Sequence, residues 1–263
     1  MPMIDLATRS ASARRPGRTI WAGAMLVALF GVMATDRAAA LDAKTEPALS
    51  GLFKLSIGGV KAGEVRIDGT TREGRYRIAA SIGTAGVVRT FYKAGIDAEV
   101  EGAADEAGLA PQRFQSRSFD PDKTRNVEMR YADGAPAVAA EPAYDPKPWE
   151  LDPATQTGTL DPLSAALTAF APRPAGELCD RTVRIFDARR LFAVSLEAES
   201  RPQRGVITCE AAYVRLGGFK PKMLAKPPFP FRVEFVERTD GLWEIERAVG
   251  PTPVGQAVLA RVR

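Results

Sequence analysis

The chain has 263 residues, with 36 basic and 32 acidic side chains, two cysteines and no histidine. The missing imidazole removes the commonest general base near neutral pH, and with it Ser-His-Asp and Cys-His catalysis. Two cysteines are also a poor ligand set for zinc, so an enzyme would have to work with carboxylate, lysine or tyrosine chemistry.

In chain order, Arg9, Arg14, Arg15 and Arg18 lead into an apolar run from Ile20 to Ala34, and Ala38-Ala39-Ala40 follow. A basic n-region, a short h-region and small residues at its end are the parts of a secretory signal peptide. The run is shorter than the ~20 residues a helix needs to span a bilayer. Residues 1–40 are therefore expected to be cleaved, delivering the remainder to the periplasm with peripheral membrane contact at most. Residues 1–40 hold five arginines and two aspartates, leaving 31 basic and 30 acidic groups in the rest. The basic pI is thus no argument for nucleic acid, because the charges alternate in sign and form no block.

Beyond residue 40 the pattern is that of strands. Phe53, Leu55 and Ile57 alternate with polar residues, as do Val65 with Ile67 and Ile96 with Ala98 and Val100. This period of two puts one face in a core and the other in water. Turn pairs such as Gly58-Gly59, Glu73-Gly74 and Asp133-Gly134 fall at hairpin spacing. Ile78 marks one strand, Val87 to Phe91 the next, and Phe114 and Met129 two later ones. Residues 135–159 contain five prolines and are read as a crossing segment. A helix is expected at Pro162–Phe170, with Asp161 as its N-cap and Pro162 in its first turn. Leu163, Leu167 and Phe170 share one face of it, which suits a helix lying across a sheet.

Strands resume at Thr182–Phe186 and Leu191–Leu196, joined by a tight turn at Asp187–Arg190. Others follow near Val206–Val214, Phe231–Val236, Leu242–Ala248 and Ala257–Val262, with a basic loop over Lys220–Pro230 between the first two. The expected fold is all-β and mainly antiparallel. A single strongly coiled sheet of about a dozen strands forms a barrel, half-barrel or spiral, with one short helix packed on it. Residues 41–263 then make a single β-domain; a split into two at residues 135–159 is the alternative.

In an oxidising compartment Cys179 and Cys209 are expected to pair as a structural disulfide. In a plain meander their two strands lie two spacings apart, about 9.5 Å, beyond the ~7 Å reach of a disulfide. Cys179, just ahead of its strand, is therefore expected to curl beneath the end of the middle one.

Three segments together resemble a known family: Gly51-Leu52-Phe53-Lys54-Leu55 with Lys61-Ala62-Gly63-Glu64, the Asp161-Pro162-Leu163-Ser164-Ala165 helix start, and Cys179 through Asp187 with Cys209 downstream. The family is the bacterial periplasmic domain of unknown function 3108. Ala188 stands where that pattern suggests a glycine. The resemblance implies a predominantly β envelope protein, shaped like the open barrels of periplasmic lipoprotein carriers, and it confers no activity.

Several constellations bear on function. Asp120 through Asn126 has the look of a calcium loop, but Arg125 holds the sixth position where an EF-hand needs glycine, so a strand-connecting turn is expected and no metal or other cofactor. Asp161, Asp180 and Asp187 are the carboxylates an acid–base hydrolase would use, yet a cap, a strand start and a turn account for each, so no catalytic residue is assigned. Phe53, Leu55, Ile57, Val65, Ile67, Phe231, Val233 and Phe235 are the candidate apolar concave face. Lys220, Lys222, Met223, Lys226 and Phe229 form a candidate contact loop. The function expected is that of a non-catalytic periplasmic protein supporting the cell envelope by binding a protein, peptidoglycan or lipid partner. A carrier of lipid or lipoprotein acyl chains is the first alternative, and a histidine-free carboxylate hydrolase the second.

Overall fold

The structure, a computed structural model, describes residues 49–263; the expected signal peptide lies outside the described residues. One antiparallel meander is built from β1 (Gly51–Ile57), β2 (Val60–Arg72), β3 (Arg75–Thr84), β4 (Gly95–Asp105), β5 (Gly108–Phe119), β6 (Thr124–Ala132) and β7 (Ala135–Glu141). A second runs through β8 (Arg181–Phe186), β9 (Leu191–Glu199), β10 (Val206–Gly217), β11 (Phe229–Glu237), β12 (Trp243–Thr252) and β13 (Gly255–Arg261). Pairing of β1 with β13 joins them into a single thirteen-stranded sheet whose edges, β7 and β8, do not close on each other. The alternation in the sequence predicts this sheet, and the turn pairs work as that pattern requires. Gly58-Gly59 and Asp133-Gly134 both place two consecutive residues at positive φ, the conformation that matches strand twist in a two-residue hairpin.

The core row shows why the sheet has one dry face. Ile78, Val100, Phe114 and Met129 are direct cross-strand partners on β3 to β6, and all four are buried. Helix α2 (Pro162–Phe170) covers this face, burying Leu163, Ala165, Leu167 and Ala169. It touches β3, β4 and β5, and also β8. β3 and β8 are fifth and thirteenth in the strand order, so a flat sheet would hold them roughly 38 Å apart at ~4.8 Å per strand. One helix ~10–12 Å across reaches both only because the sheet coils around it. The two edges are managed separately. Leu160 pairs with β8 through N–H bonds to and from its backbone, while β7 carries Pro136 and is short, as suits an edge.

Four expectations need correction. Val87–Phe91 is not a strand: Gly86–Phe91 is a helix, α1, standing between β3 and β4, because Gly86 at φ 60° turns the chain out of the sheet. The helix Pro162–Phe170 is consequently not alone; α1, a 3-10 turn at Pro153–Thr155 and α3 (Pro221–Leu224) accompany it. The crossing segment begins at residue 142 and not at residue 135, since Ala135–Glu141 forms β7; proline bars a central strand but not an edge. The basic loop is shorter than Lys220–Pro230, because α3 occupies its start and β11 takes in Phe229 and Pro230.

The disulfide shows how Cys179 reaches across β9. Pairing of β8 with β9 begins at Arg181 opposite Leu196, and Asp180 at φ 54° turns the chain off the ladder. Cys179 then bonds Cys209 of β10, with Cα atoms 5.7 Å apart.

Candidate functional site

The carboxylates singled out by sequence are each engaged locally. Asp161 is fully buried at the start of α2 and accepts N–H bonds from Leu163 (2.9 Å) and Ser164 (3.0 Å). Its second oxygen accepts the Ser164 hydroxyl, which in turn lies 2.7 Å from the Tyr76 hydroxyl. Burial pushes the Asp161 carboxyl upward against the pull of these donors, and burial also raises the Tyr76 phenol. Burial raises the Tyr131 phenol, with the Asp161 carboxyl adding to it, and its buried hydroxyl has no hydrogen-bond partner among the described residues. Asp187 accepts the N–H groups of Arg189 and Arg190 within its turn, and burial raises it too. Asp180 is exposed. None of the three lines a cavity described below. Asp120 likewise accepts the N–H groups of Asp122 and Lys123 in the β5–β6 turn. Among the described residues no group of three His, Cys, Asp or Glu side chains is placed to hold a metal ion.

Among the described residues two larger cavities stand beside a small one of about 110 Å³ at Arg77, Glu99 and Arg113. The larger, about 810 Å³, lies on the solvated face of β2 to β7, with Arg66, Asp68, Asp97 and Arg117 at its walls and alanines such as Ala79 and Ala139 as its floor. Its strongest acid is already committed. Hydrogen bonds from Arg113, joined by Gln115 and Arg130, hold Glu128 down at about 2. Glu99 pairs with Arg77 at 3.0 Å. This is a face of cross-strand ion pairs in water, which contribute little each.

The second cavity, about 400 Å³, lies on the opposite, core-facing side. Val65, Ile82 and Ile96 are direct partners across β2, β3 and β4, Leu55 and Tyr92 complete its apolar wall, and Ser118 continues the row on β5. Ile82 stands four residues along β3 from the fully buried Ile78, on the same face. Yet Ile82 is 45% exposed and Ile96 42%. The cause is coverage: α2 spans the Tyr76 end of these strands and leaves the other end open. Beside the opening, α1 buries none of its residues; Val87, Phe91 and the adjoining Tyr92 are exposed, Phe91 by 83%.

The candidate concave face divides accordingly. Phe53, Ile67, Val233 and Phe235 are buried in the core, and Val65 and Phe231 pack against it. Leu55 and Val65 line the opening. Ile57 is half-buried outside the core cluster, beyond a register shift between Leu55 and Ser56. In the candidate contact loop, Lys220 stands over the Trp149 ring at 5.9 Å, Lys222 and Lys226 are exposed, Met223 is half-buried on α3, and Phe229 opens β11 opposite Tyr213. The sequence reading missed Ile82, Ile96 and Tyr92 as site residues. The alternation Ile78-Ala80-Ile82 carried the signal for the face, but nothing local says where the covering helix stops.

The sequence profile described as protein of unknown function (DUF3108) matches residues 52–204. The chain belongs to this family. The DUF3108 span contains every residue lining the apolar opening and the whole Asp161 network, and it ends ahead of Cys209. No curated protein matches the sequence. A solved structure, a β-barrel-like protein of domain of unknown function DUF1849 from Brucella abortus, is 14% identical over 81% of this chain and 94% of that one, with a TM-score of 0.42. Among the described residues no helix is long and apolar enough to cross a membrane.

Proposed function

We propose that this DUF3108 protein is a non-catalytic binding protein of the bacterial cell envelope, exported by residues 1–40 and holding an apolar group of its partner in the opening between β1 and β5. The observation that carries the reading is Ile82 and Ile96, large aliphatic side chains left in solvent on a face that is dry elsewhere. A contiguous apolar concavity of this size falls in the range of small-ligand sites, and exposed apolar patches on soluble domains commonly mark contacts. The disulfide is consistent with an oxidising compartment.

Two measurements test it. Expressed with its own first forty residues in a Gram-negative host, the protein is expected in the periplasmic fraction, shortened and with its cysteines oxidised. The purified protein is expected to bind Nile red, a neutral solvatochromic dye, with a blue shift that Ile82→Asp and Ile96→Asp abolish while the thermal midpoint holds. Cytoplasmic retention refutes the export reading. A dye signal indifferent to both substitutions refutes the site.

A further inference from the structure

We infer that the occupant of this opening is one acyl chain of an anionic lipid, taken up from a lipid surface that α1 contacts. This rests on the opening being a binding site at all, and adds to it the chemistry of the ligand. The chain is argued from the wall, which is aliphatic on β1 to β4, at Leu55, Val65, Ile82 and Ile96, and has no buried polar group to orient a polar ligand. The headgroup is argued from charge. Lys123 and Arg125 line the rim, Lys93 sits between the lining residues Tyr92 and Ala94, and Arg89 lies on α1. Among the described residues none of these four cations forms an ion pair. Arg125 gives its guanidinium to the carbonyls of Pro142 and Ala143 and to the Tyr144 ring, keeping its charge uncompensated.

The nearby carboxylates offset them only in part, leaving the four cations in excess of two unpaired acids. Glu64 is held by Lys61, Asp120 faces the N–H groups of its own turn, and Asp122 is exposed on that turn. The surface contact is argued from α1 and the residues after it. Arg89, Phe91, Tyr92 and Lys93 set two exposed aromatic rings between two free cations, the pairing that suits an interface carrying anionic headgroups.

The test is lipid extraction. The protein is incubated with vesicles of phosphatidylglycerol or of phosphatidylcholine with the same acyl chains. The vesicles are sedimented, and the supernatant protein is weighed by native mass spectrometry. The expected result is one bound lipid per chain, with phosphatidylglycerol favoured about five- to tenfold, as two or three surface charge contacts allow. Lys93→Glu with Lys123→Glu is expected to erase that preference at an unchanged thermal midpoint, and Phe91→Ser to slow uptake from vesicles. Equal uptake of the two lipids, with Nile red still bound, overturns the headgroup inference and leaves the apolar site standing. Sedimentation with the vesicles but bare protein in the supernatant overturns occupancy of the opening by a lipid chain. Failure to bind either lipid or dye overturns this inference together with the reading it rests on.

Discussion

At the scale of single residues, the hydroxyl chain from Tyr76 through Ser164 to Asp161 ties α2 to β3 across 88 residues of sequence. Asp161→Ala removes the acceptor of two backbone N–H groups and of the serine, and is expected to cost about 2–4 kcal/mol in denaturant unfolding. Asp161→Asn keeps an acceptor for the helix N-terminus and is expected to lose about 1 kcal/mol or less. Tyr131→Phe removes a buried hydroxyl that bonds to nothing, so its stability is expected to hold or rise by about 1 kcal/mol, whereas Tyr76→Phe falls by about that amount. Titration separates two carboxyls in opposite directions. Burial raises Asp161 above its unfolded value, so its contribution to stability is complete below that value and lost as pH rises through the folded one. Glu128, held at about 2 by Arg113, contributes above the ordinary 4.5 and loses that contribution as pH falls toward 2. Carboxyl-detected NMR is expected to place Glu128 near 2, and to find it moved up toward 4.5 in Arg113→Ala. Of this network, the sequence made only the cap legible. An aspartate before a proline announces a helix start locally, while Tyr76 and Tyr131 meet it solely through the tertiary fold.

At the scale of elements, the readings that succeeded rest on periodicity and those that failed rest on context. Alternation located most of the strands, yet Val87-Val88 looks equally apolar in a strand and in α1, and Gly86 decides between them through its backbone. Proline in β7 was misread because its cost depends on whether a strand lies at an edge, which is a property of sheet order. One local rule gives a sharp test. A Cβ on Gly102 would lie 2.4 Å from the Ala110 carbonyl oxygen and 2.7 Å from the Tyr76 ring. Gly102→Ala must therefore break the irregular pairing of β4 with β5 at Glu101 and Gly102, and is expected to destabilise by about 2–3 kcal/mol. The disulfide is an element-scale tie as well, holding the lead-in to β8 beneath β9. Closing a loop of 30 residues is worth about 3–4 kcal/mol in the chain-entropy account, so Cys179→Ser is expected to lower the thermal midpoint by several degrees. A midpoint indifferent to reductant contradicts that.

At the scale of the whole described chain, one antiparallel sheet is wound around one helix shorter than the trough it occupies. The sequence made the sheet and its dry face legible, because every strand repeats the same period. It left the opening unread, since Ile82 and Ile96 carry the same pattern as Ile78 and Val100, and only the reach of α2 separates core from site. The central claim is that this unfilled end receives an apolar ligand. Methyl NMR on selectively labelled isoleucine, leucine and valine, titrated with dodecanoate, tests it most directly. The account predicts shifts at Leu55, Val65, Ile82 and Ile96 that saturate together, with Ile78 and Val100 unmoved. Shifts concentrated at other sites, or a spectrum that does not change, would contradict it.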